Sequence, residues 1–184
     1  MQIYEYNYYN TNLPEKLKQV VNNYKYIQSD RKYNFFIYNE LINFDKSKIF
    51  ALIDKNNNMV SYSFLFKVKK NYEIKFNLPE NTFIIREVET FPEYRRKGYC
   101  KKLMNWIYNY YNKSFLFLEV NGTNTAALKC YSFLKNYTNN KLQYFYDKFH
   151  IEILQWINNM DHSSKQTILK QMPHILSKYI LFSN

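Results

Sequence analysis

The hydrophobic positions change period several times along the chain, and each change marks a new element. Ile3 to Tyr9 alternates in the period of a strand and is rich in β-formers. Pro14 then stands where a helix can begin, and Leu17, Val20, Val21 and Tyr24 follow the i, i+3, i+4, i+7 spacing of a buried helical stripe. A weaker helical pattern covers Tyr33 to Asn43. Lys48–Asp54 and Met59–Lys69 are β-rich runs separated by the polar turn Lys55-Asn56-Asn57-Asn58, which predicts an antiparallel hairpin. A loop is expected from Lys70 to Asn81, followed by a strand from Thr82 to Phe91 that Pro92 ends.

The clearest helix comes next. Cys100, Leu103, Met104, Ile107, Tyr108 and Tyr111 form one apolar stripe, and Lys101, Lys102, Asn105, Asn109 and Asn112 cover the opposite face. Ser114–Val120 is a short apolar strand of the buried kind, and Asn121-Gly122-Thr123-Asn124 turns the chain into a helix running to about Leu134. The order predicts an α/β (α+β layered) protein, with a mixed, mostly antiparallel central sheet flanked by helices. Beyond Tyr137 the pattern loosens. Leu142–Trp156 fits either two strands or one aromatic helix. Ser163 with Gln166 makes a capping box for a last helix, which Pro173 should kink before Ile175, Leu176 and Tyr179. The expected division is a main domain over residues 1–155 and a C-terminal helical extension over 156–184 packed on it.

Composition adds limits. With 46% hydrophobic and 20% aromatic residues, the 184-residue chain has ample material for a core, which argues against wholesale disorder. No apolar run is long enough to cross a bilayer, and Met1-Gln2-Ile3-Tyr4-Glu5-Tyr6 has neither the basic nor the apolar stretch of a signal peptide. A cytoplasmic protein without a membrane partner is expected. Cys100 and Cys130 fall inside predicted helices with no metal spacing and read as reduced core thiols. His150, His162 and His174 are twelve residues apart, which is not a metal spacing either, so no metal is expected. The net charge of +11 favours anionic partners, but lysines run from Lys16 to Lys178, and the charge singles out no ligand.

Glycine is what this composition withholds. The chain has two, and Gly98 stands in Tyr94-Arg95-Arg96-Lys97-Gly98-Tyr99-Cys100, which also holds two of its four arginines. The strand, this loop and the amphipathic helix place a loop at a helix N-terminus, where amides lack intrahelical acceptors and the helix dipole is positive. A pyrophosphate can dock there if no bulky side chain intervenes, with Gly98 and the small Cys100 giving room and Arg95, Arg96, Lys97 and Lys101 giving charge. A solvated basic turn that needs its glycine only for φ > 0 has the same sequence. The spacing matches neither G-x-x-x-x-G-K-[ST] nor G-x-G-x-x-G.

Phe91 to Met104 resembles the acyl-CoA loop of the GNAT superfamily of N-acetyltransferases, whose pattern is [RQ]-x-x-G-x-[GA] after a strand. Arg95 and Gly98 match it. Cys100 departs from Gly/Ala but is small, and Thr90 takes a strand-end position usually held by valine. Asn124-Thr125-Ala126-Ala127-Leu128-Lys129-Cys130-Tyr131 resembles the N-x-x-A-x-x-x-Y segment of the same superfamily, in the right order behind the first motif. The usual Gly-Phe helix end is here Leu134-Lys135-Asn136-Tyr137. Alone, Asn124 is equally an N-cap and Tyr131 one of 20 tyrosines.

The resemblance implies a fold of this class and direct acetyl transfer from acetyl-CoA to an amine-bearing acceptor, small molecule or peptide, with both bound together. It assigns cofactor contacts to Thr90, Phe91, Arg95, Arg96, Lys97, Gly98, Tyr99, Cys100 and Asn124, and proton donation to the leaving thiolate to Tyr131. A backbone N–H near Thr90 or Phe91 would take the thioester oxygen. Strict alternation puts Glu87 and Glu89 on one face and Arg86, Val88 and Thr90 on the other, which turns Arg86 towards the acceptor unless a β-bulge intervenes. The base for the amine, Glu87 or Glu89 against a water, is open. The stripe Ile168, Met172, Ile175 and Tyr179 would cover the acceptor cleft or make a homodimer contact. Two other readings stand beside this one. One is a nucleic-acid-binding module, motivated by Tyr24-Lys25-Tyr26 and Arg31-Lys32-Tyr33, although composition explains these more simply. The other is a GNAT-like protein that binds coenzyme A without catalysis.

Overall fold

The computed structural model describes residues 1–10, 12–30, 41–136, 161–163 and 179–183. The chain divides into two compact units, one of Met1–Leu118 together with Ser183–Asn184 and one spanning Glu119–Phe182. The first unit opens with strand β1 (Gln2–Asn7) and helix α1 (Glu15–Asp30). The Pro14 carbonyl accepts the N–H groups of Leu17 and Lys18, so the proline stands at the helix entrance as its fixed φ favours. Leu17 and Val21 are buried.

The hairpin is present, with β2 (Ile42–Ile53) antiparallel to β3 (Met59–Val68). β2 begins earlier than its apolar run, so Ile42 and Asn43, expected at the end of a helix, are strand; Leu41 is helical, and residues 33–40 lie outside the described residues. Lys70–Asn81, expected as a loop, carries a helix, α2 (Lys70–Phe76). Its entry, Lys69, has no side-chain cap, and at its exit Asn77 takes φ 55° to return its N–H to the helix carbonyls. Its entry lacks the usual capping residue, its exit carries the Asn and following Pro79 of a helix stop, and a tertiary ion pair helps hold the element. Glu73 accepts from Lys67 Nζ and, at 2.8 Å, from the Thr82 N–H, with both side chains largely buried.

Strand β4 (Thr82–Thr90) pairs antiparallel with β3. A 3₁₀ turn (Pro92–Tyr94) and helix α3 (Tyr99–Tyr110) lead to β5 (Phe115–Asn121), which runs parallel to β4 from Thr82↔Phe115 to Ile85↔Leu118. A parallel neighbour needs a crossover, and α3 supplies it. Leu103, Met104 and Ile107 are fully buried, while Lys101, Lys102, Asn105 and Asn109 face solvent, as the stripe predicts. Phe50, opposite Ser63, lies 5.6 Å from the Trp106 ring and 5.8 Å from Tyr111, so α3 covers the sheet face that holds Ser63. The result is a mixed, mostly antiparallel sheet flanked by helices.

The second unit holds helix α4 (Thr125–Tyr131), the short strand β6 (Lys135–Asn136) and its neighbour β7 (Tyr179–Ser183). The terminal segment expected as helix is therefore strand over Tyr179–Ser183, where Tyr-Ile-Leu-Phe favours β-structure. The alternatives for Leu142–Trp156 lie outside the described residues, as does the expected last helix beyond Ser163; His162 and Ser163 are helical. No helix among the described residues is long and apolar enough to cross a membrane.

Removing one partner of a buried pair strands the other charge. Glu73→Ala should therefore cost about 3–5 kcal/mol in urea unfolding, and Glu73→Leu combined with Lys67→Met should recover most of it.

Candidate functional site

The site starts from an irregularity in β4. Tyr62 faces Glu89, but two residues further along β3 Phe64 faces Arg86, so β4 holds one residue more than β3 over this stretch. That extra residue is a β-bulge, and Glu87 adopts a left-handed φ of 49° there. Opposed residues share a face, so Tyr62, Phe64, Arg86 and Glu89 lie on one side, while Ser61, Leu65, Ile85 and Thr90 lie on the other. The bulge overturns the unbroken alternation. Arg86 does not share the face of Thr90, and Glu89 joins Arg86.

A hydrogen-bonded chain crosses this point. The Tyr62 hydroxyl donates to Glu89 Oε2 at 2.7 Å, and Arg95 Nη2 lies 3.6 Å from Glu89 Oε1. Arg95 Nε donates to the Thr90 carbonyl at 2.9 Å. Ser61 Oγ donates to the Glu89 carbonyl and lies 3.1 Å from Thr90 Oγ1. Burial, followed by the bond to Glu89 and its charge, pushes the Tyr62 phenol far above its ordinary pKa, so it stays a proton donor in this bond.

Of the two amides expected at the strand end, one is committed. The Phe91 N–H donates to the Val60 carbonyl at 3.1 Å. Because that pair is hydrogen-bonded, the adjacent Ser61–Thr90 pair is not, and the Thr90 N–H points away from β3. The Phe91 ring stands 5.9 Å from that of Tyr62, and Lys16 Nζ sits over it at 4.1 Å from the centroid.

The loop then winds tightly. Arg96 takes φ 62°, and Gly98, at φ 78°, is the N-cap residue of α3 with no side-chain cap. A Cβ added at Gly98 would meet nothing within 4 Å, so the glycine serves its backbone angle, and the space beside it is open. Arg95, Arg96 and Lys97 are all exposed. Lys97 Nζ donates to the Glu93 carbonyl at 3.2 Å, and the Tyr94 hydroxyl reaches Asp54 Oδ2 in the β2–β3 turn at 3.4 Å. The Asn58 backbone N–H holds the Asp54 carboxyl below its ordinary pKa, and further bonds from Asn58, Asn56 and Tyr94 act the same way. Tyr99 packs its ring 6.4 Å from that of Tyr94, and Cys100 is half-buried in the first turn of α3.

In the second unit, Asn124 caps α4, its Oδ1 accepting the Ala127 N–H at 3.1 Å, and Tyr131 is buried. Sequence reasoning passed over Ser61 and Tyr62, whose only signal is a pair of serines flanking a tyrosine within an apolar strand.

Because the obstacle at Gly98 is conformational and not steric, Gly98→Ala should lower stability by roughly 1–2 kcal/mol in thermal unfolding, and Gly98→Asn by less.

Comparison with known proteins places these elements. The model of the acetyltransferase (GNAT) family matches residues 15–134, more than half of the chain. No curated protein matches it. Among solved structures, similarity extends to spermidine N-acetyltransferase from Vibrio cholerae in complex with CoA and spermine (18% identity, 74% of this chain and 83% of that one, TM-score 0.47). It also extends to an IAA acetyltransferase from Bacillus cereus (12% identity, 74% and 78% covered, TM-score 0.48). A ribosomal-protein alanine N-acetyltransferase from Escherichia coli is 20% identical over 49% of this chain, which spans about half (54%) of its length, with a TM-score of 0.36. The assignment rests on the family model, whose span includes the bulged strand, the left-handed glycine and the helix it opens: the chain belongs to the acetyltransferase (GNAT) family.

Proposed function

We propose that the protein is an N-acetyltransferase that passes an acetyl group from acetyl-CoA directly to a primary amine, both substrates bound together. The observation that carries this reading is the left-handed Gly98, which opens an uncapped helix directly behind β4 with Arg95, Arg96 and Lys97 exposed beside it. Main-chain N–H groups of such a turn suit a pyrophosphate, and the helix dipole favours its charge. The open space at Gly98 fits that use.

Acetyl-CoA supplies the activated acyl thioester. The first-turn amides of Tyr99 and Cys100 and the cations of the loop hold its phosphates. The Thr90 N–H, turned away from β3, is the donor assigned to the thioester oxygen, where negative charge grows as the amine attacks. A nitrogen–carbon bond forms, the carbon–sulfur bond breaks, and the sulfur leaves as a thiolate. Tyr131 gives its proton to that thiolate and regains one from solvent, while the amine loses its own. Asn124 caps α4 and is assigned a second role against the pantetheine arm.

Acetyl-CoA at millimolar concentration should raise the melting temperature, because a ligand bound only by the native state stabilises it, and Gly98→Glu should abolish the rise. Absence of any rise in the unsubstituted protein would sink the reading, the more so if oligonucleotides bound with steep salt dependence instead. Tyr131→Phe should slow turnover with a panel of primary amines by roughly 100-fold while leaving acetyl-CoA affinity nearly unchanged. Equal losses in both would remove Tyr131 from the acid role.

A further inference from the structure

Arg95 is committed twice within its own chain. Its Nε donates to the Thr90 carbonyl at 2.9 Å, and its Nη2 stands 3.6 Å from Glu89 Oε1. Glu89 is fixed in turn, because the buried Tyr62 hydroxyl holds the other carboxylate oxygen at 2.7 Å and Ser61 holds the Glu89 carbonyl. Glu89 is held at both its carboxylate and its carbonyl with 43% of its side chain exposed, while the arginine is exposed over 57% of its side chain and sits on the loop that leads to Gly98. An anchored carboxylate thus already engages the guanidinium that a phosphate at the Gly98 turn would need. Arg96 and Lys97, the neighbouring cations, have no ion pair with a carboxylate among the described residues.

We propose that Glu89 is a built-in competitor for the cofactor: it clasps Arg95 in the unliganded protein, and binding of the phosphate-bearing cofactor draws Arg95 away and leaves Glu89 Oε1 open on the face it shares with Tyr62. The inference rests on the acetyl-CoA reading of the Gly98 loop. Its consequence is reciprocal. Whatever holds Arg95 on Glu89 weakens the cofactor, and bound cofactor frees the carboxylate for a cation such as an acceptor ammonium. The bulge is what makes this arrangement specific, since without it Glu89 would stand on the opposite face, away from Tyr62.

The test is a double-mutant cycle on coenzyme A binding, read by titration calorimetry on the full chain. Glu89→Gln keeps an oxygen for the Tyr62 hydroxyl and removes only the charge. An exposed pair of this kind is weak, so Glu89→Gln should tighten coenzyme A by about two- to fivefold. Arg95→Gln should loosen it, and Glu89→Gln in the Arg95→Gln background should change nothing further. Thermal unfolding of each variant, without ligand, checks that the fold is kept. Tyr62→Phe offers a second route. It loosens the Glu89 anchor and should shift coenzyme A affinity in the same direction as Glu89→Gln. Unchanged or weaker binding in folded Glu89→Gln, or tightening that survives loss of Arg95, overturns the clasp. Failure of coenzyme A to bind the unsubstituted protein would instead overturn the reading on which the clasp rests.

Discussion

Between the Tyr62–Glu89 pair and the Phe64–Arg86 pair, β4 fits an extra residue against β3, and the geometry of the site depends on that insertion. Upstream of it, Phe83 and Ile85 point to the face covered by α3, and Ile84 points to the other face, all three buried. An unbroken strand would carry Glu89 onto the α3 side. With the bulge, the strand keeps its apolar half in the core and still turns a carboxylate towards Tyr62. The cost is a glutamate held at φ 49°, a conformation that costs on the order of 1 kcal/mol for such a residue. The bonds from Ser61 to Glu89 and from Phe91 to Val60 close the ladder beyond the bulge and hold its new phase.

Two groups in this arrangement have two claimants each. Thr90 turns its carbonyl to Arg95 and its N–H away from β3, so one residue serves both the loop and the open side of the strand. Arg95 links that carbonyl to Glu89. The Gly98 turn is thus attached to the strand end through a side chain and not only through the chain connection. Tyr94, reaching Asp54, attaches it a second time, to the hairpin. A loop held at both ends can keep Arg96 and Gly98 in left-handed conformations.

The parts of this architecture that rest on local periodicity were legible in the sequence. The α3 stripe, the hairpin and the order of strand, loop and helix around Gly98 follow from spacing alone, because each element buries a face that its own pattern defines. What escaped depends on partners far along the chain. The α2 helix has an uncapped entry and is held by Lys67 and Thr82. The bulge is a property of two strands together, so no reading of β4 by itself could place Arg86 and Glu89 on one face. Tyr62 looked like any other core aromatic. The Gly98 loop was therefore visible as a motif, whereas the polar chain beside it was not.

The left-handed residues carry one more implication. In a chain with two glycines, asparagine takes this conformation at Asn57, Asn77 and Asn81, and the remaining non-glycine cases among the described residues are Glu87 and Arg96. A glycine at any of these positions would relieve native strain, yet it would also enlarge the conformational space of the denatured chain. Scarcity of glycine thus moves part of the stability balance into the unfolded ensemble, where fewer states are lost on folding. It also leaves Glu87 and Arg96 as stored local tension on either side of the Thr90 strand end. Segments under such tension are natural places for the native state to open first, ahead of the sheet that surrounds them.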